Sequence, residues 1–243
     1  MYHSIYFGTK NCYSDYHLIP SSRPVINPPE KKSNYIDIPG GNGSLDLSEA
    51  LTGYPLFNNR EGELEFYVEN GHSWTDIYSK LLNEVHGKYM DIILEDSQEW
   101  VYKGRLFVDE WESPTDGTWS VVTMKYIIEP YAVHRYINHK YGPYALVAEK
   151  SVSPLLISSY QMPVSPTFTI SGLAKDQHIT FEFTNKEIKT KDSVTSKTVC
   201  YSNGTHKFPE IVVTNFSGTN TCLLKMTATG AATVSIEHKT GRL

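Results

Sequence analysis

Residues 35–68, the most informative stretch of the chain, read YIDIPGGNGSLDLSEALTGYPLFNNREGELEFYV. A short alternation of apolar and polar residues ends at Pro39, and glycines at positions 40, 41 and 43 then predict a tight turn. From Arg60 onward apolar and polar residues alternate, so that Leu64, Phe66 and Val68 share one side of an extended chain. The stretch therefore predicts a short strand, a turn and a long half-buried strand with an acidic outer face.

The composition of the chain changes near residue 160. Fifteen of the 17 Tyr and all four Trp lie before that position, whereas the later residues are rich in Thr and Ser. Residues 1–159 have a net charge of −8, and residues 160–243 have a net charge of +3. A chain of 243 residues can form two modest domains. We therefore expect an N-terminal domain at 1–150, a proline-spaced linker or arm at 151–165, and a C-terminal domain at 166–243.

One helix is predicted directly after the alternating strand. Ser73 would cap its N-terminus, Asp76 would complete an acidic variant of the capping box, and Gly87 would occupy the C′ position. Apolar residues at helical spacing form one stripe: Trp74, Ile77, Tyr78, Leu81, Leu82 and Val85. Core packing is the simpler explanation of the stripe, although Trp74 and Tyr78 also suit a boundary between subunits.

The remaining patterns are those of short strands separated by turns. In the first domain we expect strands at 4–8, 35–38, 61–69, 89–94, 100–111 and 119–128, with a hairpin turn at 113–117. Beyond a patchy extended region with one strand near 145–147, we expect strands at 168–171, 179–184, 194–201, 210–215, 221–227 and 232–237. The predicted fold class is mainly β: an α+β N-terminal domain with one helix and a β-hairpin, and a C-terminal β-sandwich.

No motif for catalysis or cofactor binding is present. The sequence lacks a G-x-S-x-G elbow, a P-loop, a G-x-G-x-x-G loop and an H-E-x-x-H helix. The glycines at 40–43 lack the lysine and the helix start of a phosphate cradle. The sequence therefore predicts no catalytic, cofactor-binding or metal-binding residues, no cofactor and no enzyme activity, which disfavours a glycosidase or peptidase.

Several polar side chains have both a functional and a structural interpretation. His134 and His139 are five residues apart in an extended region, so they would lie on opposite faces rather than bind one metal ion. His86 in the last helical turn suits the helix dipole better than catalysis.

Acidic residues flank Trp111 near the predicted hairpin tip. Paired carboxylates serve glycosidases, but Asp109 and Trp111 would face one side of the strand and Glu110 and Glu112 the other. A solvated tip is favoured, where an exposed Trp111 would suit a contact surface.

The cysteines and the N-terminus favour synthesis in a reducing compartment. Cys12, Cys200 and Cys222 are odd in number and form no C-x-x-C motif, so three reduced thiols are expected, with a Cys200–Cys222 bridge as the alternative. Residues 1–8 lack the basic start and apolar run of a signal peptide, and no apolar run is long enough to span a membrane.

Separate blocks of the first domain resemble the distal tail proteins of siphophages, the Dit family. The resemblance covers about residues 5–135 and rests on DYHLIP at 15–20, RP at 23–24, PP at 28–29, DIPG at 37–40, NG at 42–43, LDLS at 45–48, NR at 59–60 and EPY at 129–131. The family usually has a charged residue where this chain has Gly41. Residues 224–243 are similar to the last strands of the galectin-like domain that some members carry.

The resemblance implies a structural virion protein without catalytic residues. Such a protein forms a homo-hexameric ring at the distal end of a non-contractile tail; it is made in the bacterial host cytoplasm and located at the virion tail tip. The ring would join the tail tube, built of major tail protein, to the tail-tip hub, a tail-associated lysin-like protein. Receptor-binding proteins are further candidate partners. DNA would pass through the lumen without specific binding, and no membrane contact is expected.

Charge and aromatic content suit this interpretation. An acidic first domain would repel DNA phosphates from the lumen wall, and its many Tyr favour an obligate assembly. The alternative is a carbohydrate-binding baseplate component that contributes to host adsorption. Residues 160–243 contain no Trp for a sugar platform, which lowers this alternative, although Tyr160 and Tyr201 remain.

Overall fold

Antiparallel strands build most of this protein, which confirms the mainly β prediction. The computed structural model describes residues 3–113, 119–157, 160–185, 194–215 and 221–243. Contacts divide the chain into two units, the first with residues 1–44 and 56–135 and the second with residues 45–55 and 136–242. The expected domain limits, 1–150 and 166–243, concern independent folding and stay a prediction.

The first unit contains a sheet and a helix. Along the chain up to residue 128, the elements are β1 (Ile5–Phe7), β2 (Lys10–Asn11), β3 (Leu18–Pro20), β4 (Tyr35–Asp37), β5 (Ser44–Asp46), β6 (Arg60–Val68), α1 (Trp74–Glu84), β7 (Tyr89–Leu94), β8 (Trp100–Glu112) and β9 (Val121–Ile128). The sheet has the order β3-β6-β9-β8-β7-β1-β2 with antiparallel neighbours, and β4 pairs with β5 separately. Residues 114–118 of the predicted hairpin turn lie outside the described residues.

The predicted alternation of β6 is confirmed. Leu64, Phe66 and Val68 are buried in the core of the first unit, whereas Glu63 and Glu65 are exposed. The strand pairs with β9 along its length. Because successive side chains of a strand point to opposite faces, this register sends every apolar residue of the strand to one side.

The helix packs on the core through a narrower face than its stripe predicts. Ile77, Leu81 and Val85 are buried, and Tyr78 is half-buried. Leu82 is 39% exposed and Trp74 is 44% exposed, so the prediction of one buried stripe is wrong at these two positions. No helix among the described residues has the length and apolar character to cross a bilayer.

The ends of α1 also differ in detail from the prediction. Ser73 is the N-cap residue, but its hydroxyl lies 2.9 Å from the hydroxyl of Thr75 and makes no capping hydrogen bond. The C-cap is Val85, so Gly87, with a φ of +73°, lies at C″ rather than at the predicted C′. A glycine is still required at position 87, because the backbone there has a φ in the left-handed region, which glycine adopts most easily.

The second unit contains two sheets that enclose a core. From residue 132 the elements are β10 (Ala132–Leu146), β11 (Ser151–Val152), β12 (Leu155–Ile157), β13 (Thr167–Ser171), β14 (Ile179–Asn185), β15 (Val194–Cys200), β16 (Gly204–Lys207), β17 (Thr221–Ala228) and β18 (Ala232–Arg242). One sheet has the order β16-β13-β18-β10, and the other has β17-β14-β15 with β11 and β12 beside β17. The rings of Phe168 on β13 and Phe181 on β14 meet edge to face, with centroids 5.1 Å apart. The predicted sandwich is thus present, since residues of both sheets share one core.

Three parts of the strand prediction for this region are wrong. Residues 132–146 form one long strand, not a patchy connector with a short strand near 145–147. The sequence did not indicate this strand, because residues 135–138 are all exposed and show no period of two. Residues 210–215 are not a strand, since only Val213 makes an isolated bridge, to Val164. The strand at 204–207 was not predicted, because its residues, GTHK, have no apolar alternation.

Leu81 and Leu82 offer a matched test of the helix packing. We expect Leu81→Ala to lower the free energy of unfolding by about 2–5 kcal/mol, because it leaves a cavity at a fully buried position. Leu82→Ala makes the same chemical change at an exposed position and should cost less than about 1 kcal/mol. Urea denaturation of both variants measures the difference, and equal losses would mean that the described helix face is wrong.

Candidate functional site

Three large apolar side chains are exposed within residues 35–44, a segment of the first unit that we call the apolar arm: Tyr35, Ile36 and Ile38. The arm turns at Gly40 and Gly43, which have φ values of +72° and +81°, so the predicted tight turn is confirmed. Scattered apolar residues are normal on a protein surface, but a run of them along one short segment is typical of a contact surface.

Short-range hydrogen bonds give the apolar arm a defined shape. The hydroxyl of Ser44 donates to Asp37 Oδ1 over 2.8 Å, and the Gly41 amide donates to the carbonyl of Ile38 over 3.0 Å. A segment that is ordered before it docks loses less conformational entropy on binding. The arm is therefore a candidate site for association with another chain.

The outer face of the first unit's sheet is acidic and carries a groove of about 670 Å³. Lys125 Nζ lies 2.7 Å from Asp109 Oδ2 and 3.7 Å from Glu63 Oε1 within this groove. The hydrogen bond with Asp109 is the main cause that raises the pKa of Lys125. Phe107 and Ile127 supply apolar parts of the lining. The groove thus holds a paired lysine and not two free carboxylates.

A β-bulge changes the predicted arrangement around Trp111. The register between β8 and β9 shifts between Val108 and Glu110, so Asp109 is an extra residue without a partner on β9. An extra residue reverses the alternation of the strand. Trp111 consequently faces the core cluster and packs on Tyr78, with ring centroids 5.3 Å apart, so the prediction of an exposed Trp111 on the same side as Asp109 is wrong.

Arg60 anchors the start of β6 from inside the first unit. Its side chain is only 4% exposed, its Nε donates to the carbonyl of Pro130 over 2.8 Å, and its Nη1 donates to the carbonyl of Asn27 over 2.8 Å. The guanidinium also lies 5.5 Å from the ring centre of Tyr102. Both acceptors belong to irregular segments, so Arg60 holds two loops against the sheet. The alternation of β6 does not predict this role.

All three cysteines are buried, and none forms a disulfide. The alternative Cys200–Cys222 bridge is wrong: Cys200 pairs with Ile179 and Cys222 with Asn185, at opposite ends of β14. Six residues of a strand span about 20 Å, well beyond disulfide reach. Burial raises the pKa of the Cys12 thiol to about 11, which keeps it protonated.

The histidines weighed in the sequence have separate surroundings. The His134 ring meets Trp100 edge to face at 4.8 Å, and His86 Nδ1 accepts a hydrogen bond from the Val108 amide over 3.0 Å. His139 lies beside His238, with ring centroids 4.9 Å apart, a pairing that needs the β10–β18 neighbourhood and has no sequence signal.

Among the described residues, one group of His, Cys, Asp and Glu side chains is compact enough to hold a metal ion, and it consists of His17, Glu69 and His72. All three belong to the first unit. Neither histidine was a candidate for a metal site from sequence, because the group joins residues that are more than 50 positions apart.

Comparison with known proteins gives a match at the level of the fold. No protein-family model and no curated protein sequence matches this chain. A solved structure does match: the crystal structure of SPP1 Dit (gp 19.1), described as a paradigm of the hub adsorption apparatus in phages that infect Gram-positive bacteria. The TM-score is 0.58 at 13% sequence identity, and the match covers 98% of this chain and 99% of SPP1 Dit.

The chain has the Dit fold. The match extends over both units, so the Dit resemblance that the sequence suggested for residues 5–135 is confirmed in structure and continues to the C-terminal sandwich. The low identity explains why sequence comparison alone finds nothing.

We expect acidification to destabilise the second unit through His238. Burial lowers the pKa of His238, and nearby His139 lowers it further. The folded protein then binds this proton less readily than the unfolded chain. The contribution of neutral, buried His238 to the free energy of unfolding is therefore complete above the ordinary His pKa of about 6.5. It decreases as the pH falls below that value toward the lowered pKa of the folded protein.

Urea unfolding at about pH 7.5 and about pH 5 measures this effect. His238→Gln keeps a polar side chain that cannot titrate, so its free energy of unfolding should change less between the two pH values than that of the wild type. His178→Gln, at a half-buried position of the same unit, is the control and should behave as the wild type. A pH dependence unchanged in His238→Gln would contradict the prediction.

Proposed function

We propose that this chain is a structural protein of a non-contractile phage tail that forms a six-membered ring at its distal end. The ring joins the tail tube to the tail-tip hub, and DNA passes through its lumen. The observation that carries the proposal is the full-length match, which includes both units, to SPP1 Dit, a protein of a phage adsorption apparatus. The ring itself rests on the family resemblance of the blocks between residues 15 and 131.

The apolar arm supports association between subunits. Tyr35 is 61% exposed and Ile36 is 52% exposed, so a monomer would leave both in water. Burying apolar surface between subunits gains about 25 cal/mol for each Å² removed from water. Such a gain is available here without rearrangement, because the arm already has a defined shape.

The acidic face of β6 supports a channel role for the first unit. Glu61, Glu63 and Glu65 are exposed on one side of the strand, and the charge of residues 1–159 is −8. A negative wall repels phosphates over roughly a Debye length of 8 Å at physiological salt. DNA would therefore pass without being retained.

The proposed role is structural and not catalytic. The acidic residues near Trp111 do not form a free carboxylate pair, since Asp109 binds Lys125. The Cys12 thiol is held protonated, because burial raises its pKa to about 11. The galectin-like character of the second unit belongs to the proposal as well and rests on the similarity of residues 224–243.

Light scattering behind a sizing column tests the ring. We expect a mass of about six times the 27.5 kDa chain for the protein alone, or a complex that contains six copies of the chain when the tail-tip hub protein of the same phage is added. The double variant Ile36→Asp/Ile38→Asp places charges on the apolar arm and should shift the mass toward the monomer while thermal unfolding stays cooperative. Val147→Asp makes the same kind of change at a residue outside the arm that is 55% exposed, and should keep the wild-type mass.

A strict monomer in both conditions would contradict the ring. A hexamer that the double variant leaves intact would keep the ring but remove the arm from its interface.

Carbohydrate binding is the second candidate, and one observation favours it: Tyr201 is 71% exposed, with the ring of His178 5.3 Å away. A single exposed ring is a small platform for a pyranose face. We expect no binding of cell-wall saccharides at micromolar affinity in calorimetry at physiological salt. Micromolar binding that Tyr201→Ala abolishes would promote this candidate over a purely structural role.

A further inference from the structure

Three side chains converge at the end of β6, outside the apolar arm and the acidic groove. His17 Nδ1 lies 3.2 Å from Glu69 Oε2, and His72 Nε2 lies 3.4 Å from the same oxygen. The two imidazole rings stack, with centroids 3.5 Å apart and planes 14° apart. Each of the three side chains is at least 32% exposed, so an ion from solvent can reach them.

Two segments of the chain supply this cluster, one just before β3 and one between β6 and α1. His17 precedes β3 with a φ of +54°, a conformation that a non-glycine residue rarely adopts. The carbonyl of His17 accepts a hydrogen bond from the Glu69 amide over 2.8 Å, and this bond holds the two residues side by side. His72 lies in the turn before α1, directly after Gly71, whose φ is +90°. A ligand shared by all three would tie the start of the helix to β3 and β6.

The carboxylate of Glu69 is oriented by a further residue. The Tyr13 hydroxyl donates to Glu69 Oε1 over 3.0 Å, which leaves Oε2 directed at the imidazoles. An ionised carboxylate with one oxygen held by an outer hydrogen bond is the usual state of a metal-binding glutamate.

The spacing of the ligand atoms suits zinc. Zinc binds imidazole nitrogen and carboxylate oxygen at about 2.0–2.2 Å in tetrahedral geometry, which places neighbouring ligand atoms about 3.3–3.5 Å apart. The two nitrogen–oxygen distances of the cluster, 3.2 and 3.4 Å, lie close to this value. All three ligand atoms lie within 4.8 Å of one another. Calcium and magnesium prefer oxygen ligands and fit this set poorly.

We propose that His17, Glu69 and His72 form a zinc-binding site. The stacked rings present their nitrogens side by side, so one ring must tilt before both lone pairs meet a single ion. His72 is the ring that can tilt, because it lies in an exposed turn next to a glycine. The fourth position of the ion is left to water or to a side chain of another protein.

Calorimetric titration of the full-length chain with zinc chloride at about pH 7.5 tests the site, because imidazole must be deprotonated to bind metal. We expect one zinc ion per chain and an affinity at least tenfold lower in His17→Ala, His72→Ala and Glu69→Gln. Magnesium and calcium should give no heat at this site. Zinc should also raise the melting temperature of the wild type and of the control, but not of the three site variants.

His3→Ala is the matched control. His3 Nδ1 lies 2.9 Å from Asp96 Oδ1, so it forms a histidine–carboxylate pair without a second histidine. This variant should bind zinc as the wild type does. The melting temperatures without zinc check that each variant is folded. We expect all of them to fold, because the three histidines are at least one-third exposed and Glu69→Gln keeps the shape of the side chain.

Two results would overturn the proposal. One is zinc binding that is absent, or equal in the wild type and the three site variants. The other is a melting temperature that depends on pH through His17 and His72 without any zinc binding, which would make the cluster a proton-binding ion pair only.

Discussion

The first unit depends on the antiparallel register of β6, β9 and β8. This register places Leu64 and Phe66 of β6 in the core together with Met124 of β9. A slip by one residue would turn every apolar side chain of the strand to solvent and every glutamate to the core. The exposed acidic face and the packing surface for the helix are therefore two consequences of the same pairing. Arg60 completes the arrangement, because its guanidinium holds the loop at Asn27 and the turn at Pro130 against the start of β6.

Elements with a strong period were predictable from sequence. The alternation of β6, the limits of β7 and the position of α1 follow from residue order alone, because burial on one side selects for that order. The long strand β10 was not predictable, since its residues 135–138 are all exposed and carry no alternation. The bulge at Asp109 was missed for a similar reason: an extra residue leaves the composition unchanged but reverses the facing of Trp111.

Features that depend on contacts between residues distant in the chain were also not predictable from the sequence. The His139–His238 pair and the cluster of His17, Glu69 and His72 each join segments that are far apart in the chain. The anchoring role of Arg60 is of the same kind, because its acceptors are backbone carbonyls that any residue supplies. The family blocks, by contrast, lie in continuous stretches, and they led to the Dit fold that structural comparison then showed at 13% identity.

The proposed ring forms by association of the chains through the apolar arm. Electron cryo-microscopy of the full-length protein, alone and with the tail-tip hub protein of the same phage, tests it most directly. A ring of six chains should appear as particles with six-fold symmetry and a central hole, in which Tyr35, Ile36 and Ile38 are buried against a neighbouring subunit. Single particles without a hole in both samples, or a ring that leaves these side chains in solvent, would contradict it.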